Sequence, residues 1–400
     1  MKNDIILPQM IPLEELDVAL AFYPDYDESI RTHPASERLL ALNSLYGVFY
    51  PFRMSKEIYS RLYLCYAHSM QKKRTREATK QSYNNHSASF SDGIIGSADC
   101  LSIISEGGVG KSRAIGRAIE LIGGQLVELH CPYQKIIPFL SIQCPFDSSV
   151  KGMLLEILRR IDECLATDFH ESATRKNSTT DVLIGQVSQI CLMHIGVLII
   201  DEIQNITKNS NGRNVIGCLT QLINSSGISI IMVGTPDIKP FFQQSFFLAR
   251  RTVGLEYGPL DYDNTFKDFC QRLFSFQYTI NQSVISESII NFIFEHSNGV
   301  TALVVGLLHD AQEVAIMDGY ETLDILSLSN AYKNRMSMIN NFIAKTPAHY
   351  YPTRKRFIEL PQESLPIEDE NLIIRLSKMA VNGGLDVIET MAKQIIVEQI

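Results

Sequence analysis

Between residues 99 and 259, short apolar runs alternate with longer stretches whose apolar residues recur at helical spacing. The runs read as strands at 101–105 (LSIIS), 138–144 (PFLSIQC), 196–201 (GVLIID), 228–234 (ISIIMVG) and 252–257 (TVGLEY). The intervening periods place helices at about 110–122, 148–166, 180–194 and 212–226. That alternation is the signature of a parallel sheet with crossover helices, an α/β domain. Upstream, Ser36 to Lys73 is helical in pattern, rich in leucine and tyrosine, with a break at Pro51. Residues 1–30 are acidic and proline-punctuated, as in an arm or irregular lead-in, and a basic-then-polar stretch after residue 71 reads as a linker. After Pro259 the strand signal stops. FKDFCQRLF, ESIINFIFEHS, TALVVGLLHDAQEVAIMDG and LDILSLSNAYKNRM predict a small helical bundle. The expected division is an N-terminal extension with linker (1–98), an α/β core (99–259), a helical lid (260–345) and a tail (346–400) with a helix at 370–383.

Composition narrows the class. A chain of 400 residues exceeds one compact core, and 45% hydrophobic with 20% charged residues is a globular balance. No apolar stretch is long enough to span a bilayer, and the first residues lack a signal-peptide pattern. Eight scattered cysteines without a CxxC pair point to reduced thiols in a cytoplasm, not to zinc or disulfides. The net charge of −8 excludes bulk attraction to nucleic acid, so DNA contact requires a local stripe or a ring lumen.

The chemistry is concentrated at strand ends. Ser105-Glu106-Gly107-Gly108-Val109-Gly110-Lys111-Ser112, followed by Arg113, joins an apolar strand to a helix. Such a turn aims backbone N–H groups at one point, where the helix dipole also favours anions. Lys111 would reach terminal phosphates and the Ser112 hydroxyl would ligate magnesium. A helix cap behind a flexible loop is the plainer alternative, and Ser105 stands where the pattern GxxxxGK[ST] opens with glycine. About ninety residues downstream, GVLIIDEIQN ends a buried strand in Asp201 and Glu202, suited to a magnesium shell and to polarising the attacking water. ISIIMVGTPD ends another strand at Thr235, placed to hydrogen-bond the water or γ-phosphate, although Gly-Thr-Pro-Asp is also plain turn chemistry. Arg250 and Arg251 precede the last strand and suit either a trans-acting arginine finger or a solvated basic pair.

This order of motifs, followed by a helical lid, resembles the AAA+ P-loop ATPases. The blocks CPFDSSVKG, VLIIDEIQNI, SSGISIIMVGTPD, FFLARRTVG and HSNGVTALVVGLLHDAQEVAI, with HPASERLLALNSLYGVFYPF upstream, narrow it to the TnsC/TniB regulators of Tn7-like transposition, over residues 33–335. The resemblance implies a bacterial cytoplasmic protein that binds ATP and Mg2+ and oligomerises as a ring or filament on double-stranded DNA. It would link a target-selector of the TniQ/TnsD type to the transposase, with hydrolysis driving remodelling or disassembly. Gly107, Gly108, Val109, Gly110, Lys111, Ser112, Arg113 and Asp201 would bind nucleotide, Ser112 and Asp201 the metal, and Glu202, Thr235 and Arg250 or Arg251 would serve hydrolysis. Two departures stand out: Ser105 for the opening glycine, and a lid segment SNGVTALVVGL without an arginine, which implies slow turnover.

The resemblance puts DNA against the loop after the second core strand, at Ser148, Ser149 and Lys151, groups that contact phosphate without reading bases. Helix capping by Asp147 or Ser148 with a solvated lysine is the alternative. KKRTR at 72–76 is a second basic patch. A nucleotide-stabilised filament scaffold with little turnover, and an initiator or clamp-loader type of AAA+ ATPase, are the competing functions. The segment from 346 onward is either a transposase-docking tail or a structural extension.

Overall fold

The computed structural model describes residues 7–73, 100–130, 133–175, 178–208, 212–239 and 252–336. The linker from residue 74, Arg250, Arg251 and the tail with its expected helix lie outside them. The elements, in chain order, are α1 (Leu16–Leu20), α2 (Ala35–Leu42), α3 (Arg53–Lys73), β1 (Cys100–Ser105) and α4 (Lys111–Ile122). Then come β2 (Val127–His130), β3 (Tyr133–Gln143), α5 (Val150–Leu165), α6 (Phe169–Arg175), α7 (Thr180–His194) and β4 (Ile195–Asp201). They are followed by α8 (Gly212–Ser226), β5 (Ser229–Gly234), β6 (Thr252–Tyr257), α9 (Asn264–Phe274), α10 (Glu287–Ser297), α11 (Thr301–Met317) and α12 (Ile325–Ala331).

The six strands form one sheet in the order β2-β3-β4-β5-β1-β6, parallel except for the β2–β3 hairpin. Successive side chains point to opposite faces of a strand, and here both faces are buried. Cys100 and Ile104, Leu198 and Ile200, and Ile230 and Met232 join one cluster with Leu154, Ile157 and Ile161 of α5, Val187 of α7 and Leu219 of α8. Leu101 and Ile103, Val197 and Ile199, and Ile231 and Val233 face the other way, against α4 and α3.

The N-terminal segment does not pack as a separate body. Helix α3 lays Ile58, Leu62, Tyr66 and Met70, a four-residue ladder, onto the second face of the sheet. Each such burial is worth about 1.5–3 kcal/mol. Ser69 donates to the Gly196 carbonyl at 2.5 Å, and Lys73 reaches the carbonyls of Cys191 and Leu192 at the end of α7. That burial pushes the Lys73 ammonium down to about 7 and turns this member of the KKRTR run inward. The expected irregular lead-in contains α1, whose Leu16 and Leu20 join the same layer because one helical turn separates them.

Helix α2 and the turn after it belong to the lid instead. Leu42, Leu45 and Val48 share a cluster with Phe266 and Leu273 of α9, Ile293 of α10, Leu307 of α11 and Leu328 of α12. A bidentate pair fixes this union, with Arg38 Nη1 and Nη2 donating to Glu321 at 2.7 and 2.6 Å. The guanidinium holds the Glu321 carboxyl below its ordinary value. No helix among the described residues is long and apolar enough to cross a membrane.

Candidate nucleotide-binding site

Strand β1 ends at Ser105, which pairs with Tyr257 of β6 and is fully buried. Left-handed backbone is needed further on, at Gly108 (φ 81°) and Gly110 (φ 98°). Those two positions require glycine; position 105, in extended strand, does not. Gly110 is the N-terminal cap residue of α4, with Lys111 and Ser112 in the first turn. Lys111 Nζ lies 3.4 Å from the Ser105 carbonyl, folded back across the loop.

The lid holds this loop by its backbone. The Thr301 hydroxyl and the Ala302 N–H, at the start of α11, both donate to the Gly108 carbonyl, at 2.9 and 3.0 Å. A Cβ on Gly108 would stand 2.9 Å from Val300 Cγ1, so the grip itself excludes a side chain there.

Beside the loop is a cavity of about 500 Å³, lined by Glu106 to Arg113, by Glu202, by Thr301 and Val305 of the lid, and by Tyr46, Phe49, Tyr50 and Phe52. Its size falls within the range of small-molecule sites. The aromatic wall comes from the segment between α2 and α3, which sequence reading took only as helix with a proline break. The signal present in the chain was the density of rings in YGVFYPF. Phe49 is fixed by reciprocal backbone bonds with Phe22. Arg113 donates to the Gly47 carbonyl at 2.9 Å and lies 5.8 Å over the Phe49 ring, and its burial lowers the guanidinium pKa. It therefore braces the wall from α4.

Across the cleft, β5 lies between β1 and β4. With neighbouring strands spaced about 4.8 Å apart, the exits of β1 and β4 are about 10 Å apart, with that of β5 between them. Asp201 ends β4 and its Oδ1 accepts the Glu202 N–H at 2.8 Å. Glu202 is exposed and adopts a left-handed φ of 56°, which turns the chain sharply into the 3-10 turn Ile203–Thr207. Thr235, at the exit of β5, directs its hydroxyl to Asp237 at 3.2 Å. The structure thus brings the phosphate loop, the two carboxylates and Thr235 to one edge of the sheet.

Sequence reading missed Gln204. This buried side chain donates through Nε2 to Glu202 Oε2 and accepts the Thr235 N–H through Oε1 at 3.2 Å. The next residue, Asn205, donates to the Cys144 carbonyl at 3.0 Å, and its own carbonyl accepts the Ser148 hydroxyl at 3.0 Å.

That last bond decides what the loop after β3 has to offer. Ser148 is fully buried with a left-handed φ of 53°, so its hydroxyl faces Asn205 and not solvent. The cap of α5 is Ser149, accepting the Gly152 N–H at 3.1 Å, and Asp147 accepts the Ser149 N–H. Neither expected cap, Asp147 or Ser148, fills that position. Of the three residues expected to face DNA, Ser149 and Lys151 remain at the surface, partly exposed.

A family model described as an AAA domain matches residues 95–242. Among solved structures, Drosophila ORC bound to DNA is 11% identical with a TM-score of 0.47, the match covering 95% of this chain and 84% of that one. The Aeropyrum pernix ORC1 protein in complex with DNA is 13% identical at a TM-score of 0.41, over 81% and 78% of the two chains. A Walker-type ATPase of Pyrococcus abyssi is 15% identical at 0.39, over 68% and 76%. A search of curated proteins gave no match. The sheet order, the phosphate loop and the matched segment together make the fold an AAA+ P-loop α/β core flanked by helices, with a helical lid.

Proposed function

We propose that this protein is an ATP-hydrolysing, DNA-binding regulator of transposition of the TnsC/TniB type. The observation that carries the ATPase half is the convergence of the β1, β5 and β4 exits on one cleft, with an aromatic-walled cavity beside the loop. The transposition half rests on the sequence blocks CPFDSSVKG and DEIQNI.

In this reading the aromatic wall takes the base, and the N–H groups of Gly107, Gly108, Val109 and Gly110 cradle the phosphates. Lys111 leaves the Ser105 carbonyl to neutralise the terminal phosphates. A hydroxyl and a carboxylate, Ser112 and Asp201, form the hard oxygen donor set that suits Mg2+, which would neutralise phosphate charge. Glu202 takes the proton of the water that attacks the γ-phosphorus as the bond to the ADP oxygen breaks, and Thr235 orients that water. Arg250 or Arg251 of a neighbouring copy would complete the site. Ser149 and Lys151 would contact the backbone of double-stranded DNA without sequence preference. The remaining partners are further copies of the chain, a target-selector of the TniQ/TnsD type and the transposase.

Electron microscopy with duplex DNA, with and without a non-hydrolysable ATP analogue, tests the proposal. Rings or filaments on DNA that require the analogue are expected. Single dispersed particles in both conditions would sink it. A second reading, a nucleotide-held scaffold with little turnover, is favoured by one feature: the lid meets the phosphate loop with Thr301 and Ala302, where an arginine would serve hydrolysis. Phosphate release that DNA stimulates and Glu202→Gln abolishes separates the two.

A further inference from the structure

The Gln204 amide sits between two groups of opposite character. One is a backbone N–H, which can only donate; the other is an ionised carboxylate, which can only accept. This fixes the amide orientation: Oε1 must face Thr235 and Nε2 must face Glu202, as observed. No other natural side chain of that length both donates and accepts at its tip in this way. The approach is close enough to dictate a neighbour. A Cβ on Gly234 would stand 2.8 Å from Gln204 Oε1 and 2.7 Å from Ile203 Cγ2, so glycine at the end of β5 is what admits the amide.

The turn carrying Gln204 is held at its other end too. Thr207 donates to the Gln204 carbonyl at 2.7 Å, and Asn205 bonds to the loop after β3. Gln204 itself lies outside the cavity lining, whereas Glu202 lies within it. The amide therefore touches Glu202 and the Thr235 backbone while standing outside the cavity itself.

We propose that Gln204 is a positioning residue for ATP hydrolysis, its side-chain amide locking the Glu202 carboxylate to the β5 exit that carries Thr235. An exposed glutamate on a left-handed turn has several rotamers open to it. The bond from Nε2 selects one and removes the entropy of finding it before the water is attacked. Because the same amide holds the Thr235 backbone N–H, the carboxylate keeps a fixed separation from the Thr235 backbone, while the Thr235 hydroxyl stays free to turn from Asp237 toward phosphate. The inference rests on the ATPase reading above.

Two variants test it. Gln204→Glu keeps an acceptor for the Thr235 N–H but sets a second carboxylate against Glu202. Gln204→Met keeps the length and loses both bonds. Bonds to charged groups are the stronger class, so kcat should fall about tenfold or more in both. The KM for ATP and the affinity for a fluorescent ATP analogue should stay within about twofold, since the residue stands outside the cavity. In a Glu202→Gln background, the readout is the trace single-turnover hydrolysis that survives loss of steady-state release. There Gln204→Met should cost nothing further, because the partner it positions no longer acts as base. Wild-type kcat in both variants, or a loss that multiplies undiminished onto Glu202→Gln, would overturn the proposal. Turnover by the wild-type protein that Lys111→Ala abolishes establishes the underlying reading separately. A wild-type protein without turnover would remove both.

Discussion

The two banks of the cleft are built by different physics. On the phosphate-loop bank, three separate parts of the chain converge, by packing and by several independent bonds to backbone groups. The segment between α2 and α3 supplies the aromatic wall, the lid clasps the Gly108 carbonyl, and the sheet supplies the strand end. On the acidic bank one short turn, Ile203–Thr207, holds everything through side-chain amides. Packing is redundant, and losing one contact leaves the others. A hydrogen-bonded relay is not, because each buried group without a partner costs its full desolvation. Nucleotide binding should therefore tolerate change on its bank better than hydrolysis does on the other.

The largest effect should come from the lysine of the phosphate loop. Lys111→Ala should abolish nucleotide-dependent DNA binding and hydrolysis together, as read by filter binding and phosphate release. Equal DNA binding with and without the lysine side chain would contradict the switch. Next, Gly234→Ala pushes into Ile203 and the Gln204 amide, and should lower kcat by about tenfold or more with nucleotide affinity retained. If affinity fell in step with kcat, the two banks would not be independent.

Arg38→Ala attacks the union behind the aromatic wall. Arg38 is buried and Glu321 only partly so. Removing the guanidinium leaves Glu321 and the His33 and Tyr278 carbonyls without that donor, at a cost of about 3 kcal/mol. A marked drop in thermal midpoint is expected, with weaker nucleotide binding as its secondary effect. The pH dependence follows from Glu321, whose folded pKa is depressed by the Arg38 guanidinium. Its contribution is fully present above the ordinary glutamate value of about 4.3 and is lost as pH falls through the lower folded pKa. The variant should lose stability less steeply than the parent as pH drops below that value. Smallest of all, Thr301→Val removes one of two donors to Gly108 and should cost about 1 kcal/mol in thermal stability, since Ala302 N–H remains.

The contrast between the banks also explains what the sequence made legible. Strands β1, β4, β5 and β6 carry apolar runs long enough to mark buried parallel strands, and their ends carry the phosphate loop and the carboxylates. The expected spans for them differ from the observed ones by at most one residue at either end. Strand β3 begins at Tyr133, earlier than the expected residue 138, because Pro138 reads as a boundary. Here it lies beyond the last β2 pair, Val127 with Ile136, so the hairpin asks no donor of it. β2 was invisible: VELH alternates apolar and polar, but four residues are too few for the alternation to register. The short α6 failed for the same reason.

Site residues show the same division. Gly108 and Gly110 are legible because only glycine takes their backbone angles easily. Gln204 is not, since nothing in DEIQN says that its amide turns toward a strand end thirty-one residues later. Ser148 reads as a surface hydroxyl until its left-handed backbone and its bond to Asn205 are seen. The aromatic wall belongs to a segment whose partner, the lid, is more than two hundred residues away in sequence, beyond the reach of any local pattern.

The claim at the centre is that both banks close on a single metal–triphosphate. The structure of the Glu202→Gln variant with Mg2+ and ATP tests it most directly. Lys111 Nζ should have left the Ser105 carbonyl for the terminal phosphates, and the Thr235 hydroxyl should have left Asp237 for the γ-phosphate or its attacking water. Nucleotide bound elsewhere, or bound with Lys111 still on Ser105 and Thr235 still on Asp237, would contradict the account.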